Sequence, residues 1–159
     1  MSAGNRGRIQ RAVKALLSQG FGQAELDPAV EIGAPIPVVH PDGTQRSWFV
    51  PLVAGTKLAG FAELLPSLTP LRMSSFQRRG RIDEHAPNVS DWTDLERIRA
   101  RALSLTREDE QLSPPVLTYD GEPSRLAWKL VATSPSGESR VLFVAGTAAY
   151  VAGRTSGLA

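Results

Sequence analysis

The side chains that could take part in chemistry are few and scattered along the chain. The sequence holds two histidines, His40 and His85, and no cysteine, which excludes disulfides, thiol catalysis and thiolate metal sites. His85 follows Asp83 and Glu84, a trio that could hold a metal loosely, but the spacing of a firm site is missing. We therefore expect His85 to lie in a solvated loop, and we predict neither a metal nor a cofactor.

Sequence patterns that mark catalytic or nucleotide-binding loops are missing. Neither a Gly-x-Ser-x-Gly elbow nor a Walker sequence occurs. Gly20-Phe21-Gly22-Gln23 lacks the third glycine of a dinucleotide-binding loop and does not follow a predicted strand. The acidic run Glu108-Asp109-Glu110 is typical of a solvated helix end, because acid–base chemistry would need burial of these carboxyls. The sequence therefore predicts a protein that is not an enzyme.

Basic side chains are concentrated in two short segments, and the basic residues of these two segments are all arginines. The net charge of the chain is only +2, acidic neighbours offset both segments, and aromatic residues do not interleave with the arginines. Nucleic acid is therefore an unfavoured partner, although the first segment stays a candidate for partner binding. The two segments comprise Arg78, Arg79 and Arg81, and Arg97, Arg99 and Arg101.

The first half of the chain shows a helical pattern followed by strand patterns. Ile9 and Val13 begin an apolar stripe at helical spacing, which predicts a helix over residues 5–19 with Gly20 as its end. The pair Asp42-Gly43 between apolar runs predicts a hairpin, and the strand after it carries Trp48 and alternate apolar residues on one face. The strands predicted here span residues 36–40, 45–53, 57–65 and 69–76.

The second half repeats this order of elements after a polar, irregular segment at residues 78–89. We interpret that segment as a connection with room for a short helix. Ser90 then opens a helix that reaches Leu105, with Leu95 and Ile98 in its apolar stripe and a capping box at Thr93 as an alternative start. The strands predicted after it span residues 116–119, 124–133, 138–145 and 148–151.

Landmarks in the two halves recur at nearly constant separation. Asp42-Gly43 and Asp120-Gly121 are 78 residues apart, and Trp48 and Trp128 are 80 apart. These matches predict an α+β fold of two similar units, each one helix packed on a three- or four-stranded antiparallel sheet. Coincidence of two generic hairpins is the alternative. The predicted boundaries are residues 1–77 and 90–152 for the units, 78–89 for the linker and 153–159 for a flexible tail.

The second half carries a recognisable succession of elements. The helix Asp91–Leu105 is followed by Val116-Leu117-Thr118-Tyr119-Asp120, then Arg125–Val131, then Arg140–Val144, and the first half echoes it around Trp48. This succession resembles PepSY-like domains and, more loosely, the cystatin-like shape of a helix on a curved sheet. The resemblance implies a non-catalytic module that binds a protein or peptide, as an inhibitor or chaperone of a peptidase does.

Function is therefore expected to lie in binding. We expect Trp48 and Trp128 to fill the core, or to anchor a partner if they face outward, with Arg78, Arg79 and Arg81 as further partner-binding candidates. The partner is a protein or peptide held at the sheet face or edge. The alternatives are a small-ligand carrier with a pocket between helix and sheet, or an accessory subunit of an enzyme complex. A homodimer is also compatible with the sequence.

The expected location of the protein follows from its apolar stretches. The first residues lack the apolar region of a signal peptide, and the longest apolar stretches are too short for a membrane span. We therefore expect a cytoplasmic protein, or an extracytoplasmic one if a signal has been removed.

Overall fold

The described part of the chain is an α+β protein. The computed structural model describes residues 1–19, 30–78 and 81–153. These residues form three helices, two five-stranded antiparallel sheets and a two-stranded hairpin. The predicted α+β class is confirmed, and each large sheet has at least one strand more than the three or four predicted.

The chain divides into two compact units. The first unit comprises Met1–Val38 and Thr44–Val89, and the second comprises Val39–Gly43 and Ser90–Ala159. The second unit therefore includes a five-residue segment from the first half of the sequence. This segment matters below because it lines a cavity within the second unit. The predicted flexible tail lies, apart from Gly153, outside the described residues.

The first helix, α1 (Ala3–Ser18), lies where its periodicity predicted it. Its N-cap is Ser2, whose hydroxyl accepts a hydrogen bond from the backbone N–H of Asn5. The apolar stripe buries Ile9 and Val13 completely. The predicted end at Gly20 lies outside the described residues.

The first sheet packs one face against α1. Trp48 and Val50 alternate onto that face and join Ile9 and Val13 in one core cluster, as predicted. The strands follow the order β1-β3-β4-β5, with β2 also paired to β3. Their bounds are β1 Glu31–Ile32, β2 Ile36–Val39, β3 Gln45–Ala54, β4 Lys57–Leu64 and β5 Pro70–Ser75.

The segment predicted as an irregular connection, residues 78–89, is structured differently. β6 (Gln77–Arg78) and β7 (Arg81–Ile82) are paired, and the described residues 81–89 contain no helix, although the connection had room for one. Farther along, Asn88 forms a β-bridge with Lys57, and Val89 N–H donates to the Thr56 carbonyl. These backbone groups are thus paired within the protein.

The predicted second helix is divided in two. α2 (Ser90–Thr93) and α3 (Leu95–Leu103) meet at Asp94, whose carboxylate caps α3 by accepting hydrogen bonds from two backbone N–H groups of its first turn. The break changes the helical phase, so Ile98 is buried whereas Leu95 remains 48% exposed. The prediction that Leu95 belongs to the buried stripe was therefore wrong.

The second sheet has the same strand order as the first. Its path is β12-β11-β10-β8, with β9 also paired to β10. Along β10, the buried Leu130 and Ala132 alternate with less buried neighbours, as strand geometry requires. The bounds are β8 Gln111–Leu112, β9 Val116–Tyr119, β10 Leu126–Thr133, β11 Ser139–Ala145 and β12 Ala148–Val151.

Many strand pairings in the first sheet have a counterpart in the second. Adding 80 to the numbers of the pair Trp48 with Leu64 gives the pair Trp128 with Val144. The same shift turns Glu31 with Val53 into Gln111 with Thr133. The two sheets thus share a strand order and much of their register, although β5 corresponds to β12 by a shift of 78.

Candidate binding pocket

The second unit contains a cavity of about 210 Å³ that we call the Lys129 pocket. All of its lining residues belong to that unit. Lys129 and Val131 alternate along β10 with the fully buried Leu130, so they point to the opposite face of the sheet. The pocket therefore lies on the sheet face opposite to the one that buries Leu130.

Strand pairing brings the apolar part of the Lys129 pocket together. Val116 of β9 pairs directly with Lys129 of β10, and Thr118 lies two positions further on the same face. Val131 continues that face along β10, beside Pro114 in the lining. Val116 is 43% exposed, so its side chain is accessible to a ligand.

Two hydroxyl groups and one imidazole nitrogen of the Lys129 pocket are engaged within the protein. Thr118 Oγ1 donates to the Val39 carbonyl at 2.7 Å, and Ser113 Oγ accepts from Val131 N–H at 2.8 Å. His40 Nδ1 lies 2.9 Å from the Tyr119 hydroxyl, which fixes the imidazole ring. These hydrogen bonds give the pocket a defined shape.

The charge of the pocket comes from Lys129. It is the only lysine or arginine of the described lining, and no carboxylate lines the cavity. Within the described residues the Lys129 ammonium has neither a hydrogen-bond nor an ion-pair partner. An unpaired cation beside apolar walls can bind an anion that carries an apolar group. The sequence analysis missed Lys129, whose one visible signal is a charged residue between Trp128 and Leu130.

The tryptophans predicted as core residues or partner anchors are both buried. Trp48 is 9% exposed and Trp128 is 4% exposed. The Trp128 indole N–H donates to the Trp92 carbonyl at 3.0 Å, which satisfies its polar edge. Neither indole is presented to solvent.

The arginines predicted as partner-binding candidates are only partly described. Arg81 lies exposed on β7, and its backbone pairs with Arg78. The side chain of Arg78 and the whole of Arg79 lie outside the described residues. These arginines therefore remain a prediction.

His85 contacts both of its acidic neighbours at the protein surface. The Asp83 carboxylate accepts a hydrogen bond from the backbone N–H of His85 at 2.9 Å, and the His85 ring lies 3.5 Å from the Glu84 carboxylate, with both of these side chains solvent-exposed. No group of three histidine or carboxylate side chains that could hold a metal occurs in the described parts of the chain. A second cavity, of about 220 Å³, lies in the first unit beside Asp83 and Gln77.

The acidic run Glu108-Asp109-Glu110 is only partly solvated, which corrects its prediction. Glu110 is held by Arg140, which donates from Nε at 2.8 Å and from Nη2 at 2.6 Å. These hydrogen bonds, with one from the backbone N–H of Arg107, lower the pKa of Glu110 to about 2. Glu110 is thus ionised near neutral pH and serves as an ion-pair partner.

Two other carboxylates are buried and held by arginines. Burial alone raises the pKa of Asp91, but hydrogen bonds from Arg101 and Arg97 outweigh it and leave the pKa below its ordinary value. Glu63 accepts from the Ser47 hydroxyl at 2.6 Å and from Arg72 Nε at 2.7 Å. The hydroxyl of Ser47 is fully buried, so a substrate cannot reach it. Both groups have the geometry of structural ion pairs.

The chain matches no protein-family model, no curated protein and no solved structure. In residues 1–19, 30–78 and 81–153, the helices fall short of the length and apolar content that crossing a membrane requires.

Proposed function

We propose that this protein is a non-enzymatic module that binds a protein or peptide partner through the Lys129 pocket. The observation that carries the proposal is the pocket itself, which combines exposed Val116, half-buried Val131 and the unpaired Lys129. A shaped apolar recess with one charged group is typical of sites that take an anchoring side chain of a partner. The inhibitor- or chaperone-like role toward a peptidase remains part of this proposal.

The size of the pocket favours an anchor over a free ligand. Its volume of about 210 Å³ is below the roughly 300–1,000 Å³ of most small-molecule sites. It also lies on the face opposite to the buried Leu130, whereas a carrier was expected to hold its ligand between helix and sheet. A partner chain that inserts one residue fits this volume better than a carried molecule does.

We also propose that the two units are copies of one ancestral unit similar to a PepSY-like domain. The support is the shared strand order and the shift of 80 that relates most paired positions of β3 and β4 to those of β10 and β11, such as Trp48 with Leu64 and Trp128 with Val144. An experimental structure that placed Trp48 and Trp128 on strands with different neighbours would refute the duplication.

Blocking the Lys129 pocket tests the proposed function. Val131→Phe fills the pocket, and Val141→Phe is its matched control because Val141 pairs with Val131 on the same sheet face but does not line the cavity. Both variants are first checked for unchanged circular dichroism and for a retained cooperative unfolding transition. Each tagged protein is then used for affinity capture from its native cells with quantitative mass spectrometry.

The comparison between the two variants decides the outcome. We expect wild type and Val141→Phe to retain a stoichiometric partner and Val131→Phe to lose it. A partner that Val131→Phe retains in full would refute the role of the pocket. Capture of no partner, together with a small molecule that native mass spectrometry finds on the wild-type protein, would favour the carrier.

A further inference from the structure

We infer that the Lys129 pocket receives the C-terminal residue of a partner chain, with its aliphatic side chain against the valines and its carboxylate at Lys129. The inference rests on the proposed function and names the part of the partner that is recognised. Three properties of the pocket support it. These are its charge, the hydrogen bonds that its polar groups already form within the protein, and its volume with its apolar walls.

The charge of the pocket selects an anion. Lys129 is half-buried, and within the described residues it has no ion-pair partner. The lining supplies no carboxylate that could compete for the ammonium. Because water screens a half-buried charge less than an exposed one, an anion bound here gains more than at an open surface.

The hydrogen bonds of the pocket disfavour a neutral polar ligand. The hydroxyls of Thr118 and Ser113 are engaged with backbone groups of the protein itself. An alcohol or amide would therefore find few free partners and would lose hydrogen bonds to water. A carboxylate accepts directly from the lysine ammonium, which has three donors.

The volume and the apolar walls limit the body that carries the carboxylate. A cavity of about 210 Å³ has the volume of about seven water molecules at roughly 30 Å³ each, which limits the bound group to one small residue. An aspartate or glutamate side chain brings a carboxylate on a thin stem and would leave Val116 and Val131 uncovered. A C-terminal aliphatic residue carries the carboxylate and the branched side chain on one carbon. It can therefore contact Lys129 and the two valines at the same time.

Peptide titration of the full-length protein, followed by the amide spectrum in solution NMR, tests this inference. The probes are a hexapeptide with a free C-terminal valine, the same peptide as a C-terminal amide, and 3-methylbutanoate. The variants are Lys129→Met, Lys129→Arg and, as a control, Lys14→Met, because Lys14 is exposed on α1.

The free-acid peptide is expected to bind at least about tenfold more tightly than its amide, as one charge-assisted hydrogen bond predicts. Lys129→Met should lower the affinity for the acid to that for the amide, and it should leave the affinity for the amide unchanged. Lys129→Arg should keep the preference for the acid, and Lys14→Met should change nothing. The signals that shift should include those of Val116 and Val131.

Several results would overturn the inference. These are equal affinity for the acid and the amide, an unchanged affinity in Lys129→Met, or no binding at millimolar peptide. Binding of 3-methylbutanoate as tight as that of the peptide would show that a free acid suffices and would equally reject the chain end. In each case the comparison of Val131→Phe with Val141→Phe still tests the proposed function separately, because it does not depend on the charge of the partner.

Discussion

Glu63→Gln is expected to destabilise the first unit because the Glu63 carboxylate is the centre of a buried polar layer. Glu63 is fully buried on β4. It accepts from Ser47 at 2.6 Å and from Arg72 at 2.7 Å, and Arg46 Nε lies 3.6 Å away. Glutamine keeps the shape of the side chain but removes the charge that both arginines face.

The expected cost follows from the exposure of the two arginines. Removal of one partner from a fully buried ion pair costs about 3–5 kcal/mol. The side chains of Arg46 and Arg72 keep 23% and 30% of their exposure, so water can partly rehydrate them. The amide oxygen of glutamine can also still accept from Ser47. We therefore expect a loss of about 2–3 kcal/mol in the free energy of unfolding.

Urea denaturation followed by circular dichroism measures this loss, and thermal unfolding provides a second readout. A change of 1 kcal/mol lowers Tm by roughly 2–4 °C in a chain of this size, so a fall of roughly 4–12 °C is expected. A change in stability below about 0.5 kcal/mol, the range of neutral surface substitutions, would refute the reasoning.

The second sheet supplies the matched control for this prediction. The four positions of the polar layer are occupied in the second sheet by apolar and aromatic residues. Arg46, Ser47 and Glu63 find their counterparts by adding 80 to their numbers. Arg72 lies opposite Glu63, and its counterpart is the residue opposite the counterpart of Glu63. Transplanting them replaces a buried ion pair by apolar packing, which is often neutral or stabilising. The fourfold variant should therefore be more stable than Glu63→Gln, and a lower stability would refute the equivalence of the two layers. The substitutions are Arg46→Leu, Ser47→Ala, Glu63→Phe and Arg72→Tyr.

Two further substitutions test the packing and the acid stability of the protein. Gly60→Ala should destabilise the protein by about 1–3 kcal/mol, because the added methyl group would meet the Ser74 backbone. The urea concentration at the midpoint of unfolding should fall accordingly, and an unchanged midpoint would contradict this. Glu110→Gln should destabilise the protein near pH 6, and the difference from wild type should shrink as pH falls from about 4.5 through about 2. The sign follows because the pKa of Glu110 is about 2 in the folded protein, below the ordinary glutamate value of 4.5 that the unfolded chain regains. A difference that stays constant in urea titrations across this range would refute the role of the Glu110–Arg140 pair.

Periodic segments of the fold could be predicted from the sequence, whereas short pairings could not. The alternation around Trp48 and the stripe around Ile9 each involve many residues whose burial repeats at a fixed spacing. β1 and β8 are only two residues long, so they carry no periodicity. Both are held in place by backbone hydrogen bonds to residues that are distant in sequence. Directly after β8, for example, Ser113 N–H donates to the Val131 carbonyl.

The Lys129 pocket could not be predicted because its walls come from distant parts of the sequence. Residues near 40, near 115 and near 130 meet only after the second unit has formed. Nothing in the local sequence shows that the hydroxyl of Thr118 is engaged or that Lys129 lacks an ion-pair partner among the described residues. The division of the second helix was similarly hidden, because Asp94 fits a helix interior poorly but does not fix where a new helix begins.

The shared register of the two sheets poses a problem of specificity during folding. Two sheets with one strand order and one pairing rule offer each strand two equivalent positions, which is the condition for misassembly between repeats. If β4 took the position of β11, Glu63 would stand beside Tyr150 instead of Arg72, a buried carboxylate without a cation. The difference between the polar layer of the first sheet and its apolar and aromatic counterpart in the second therefore disfavours exchange of β4 with β11.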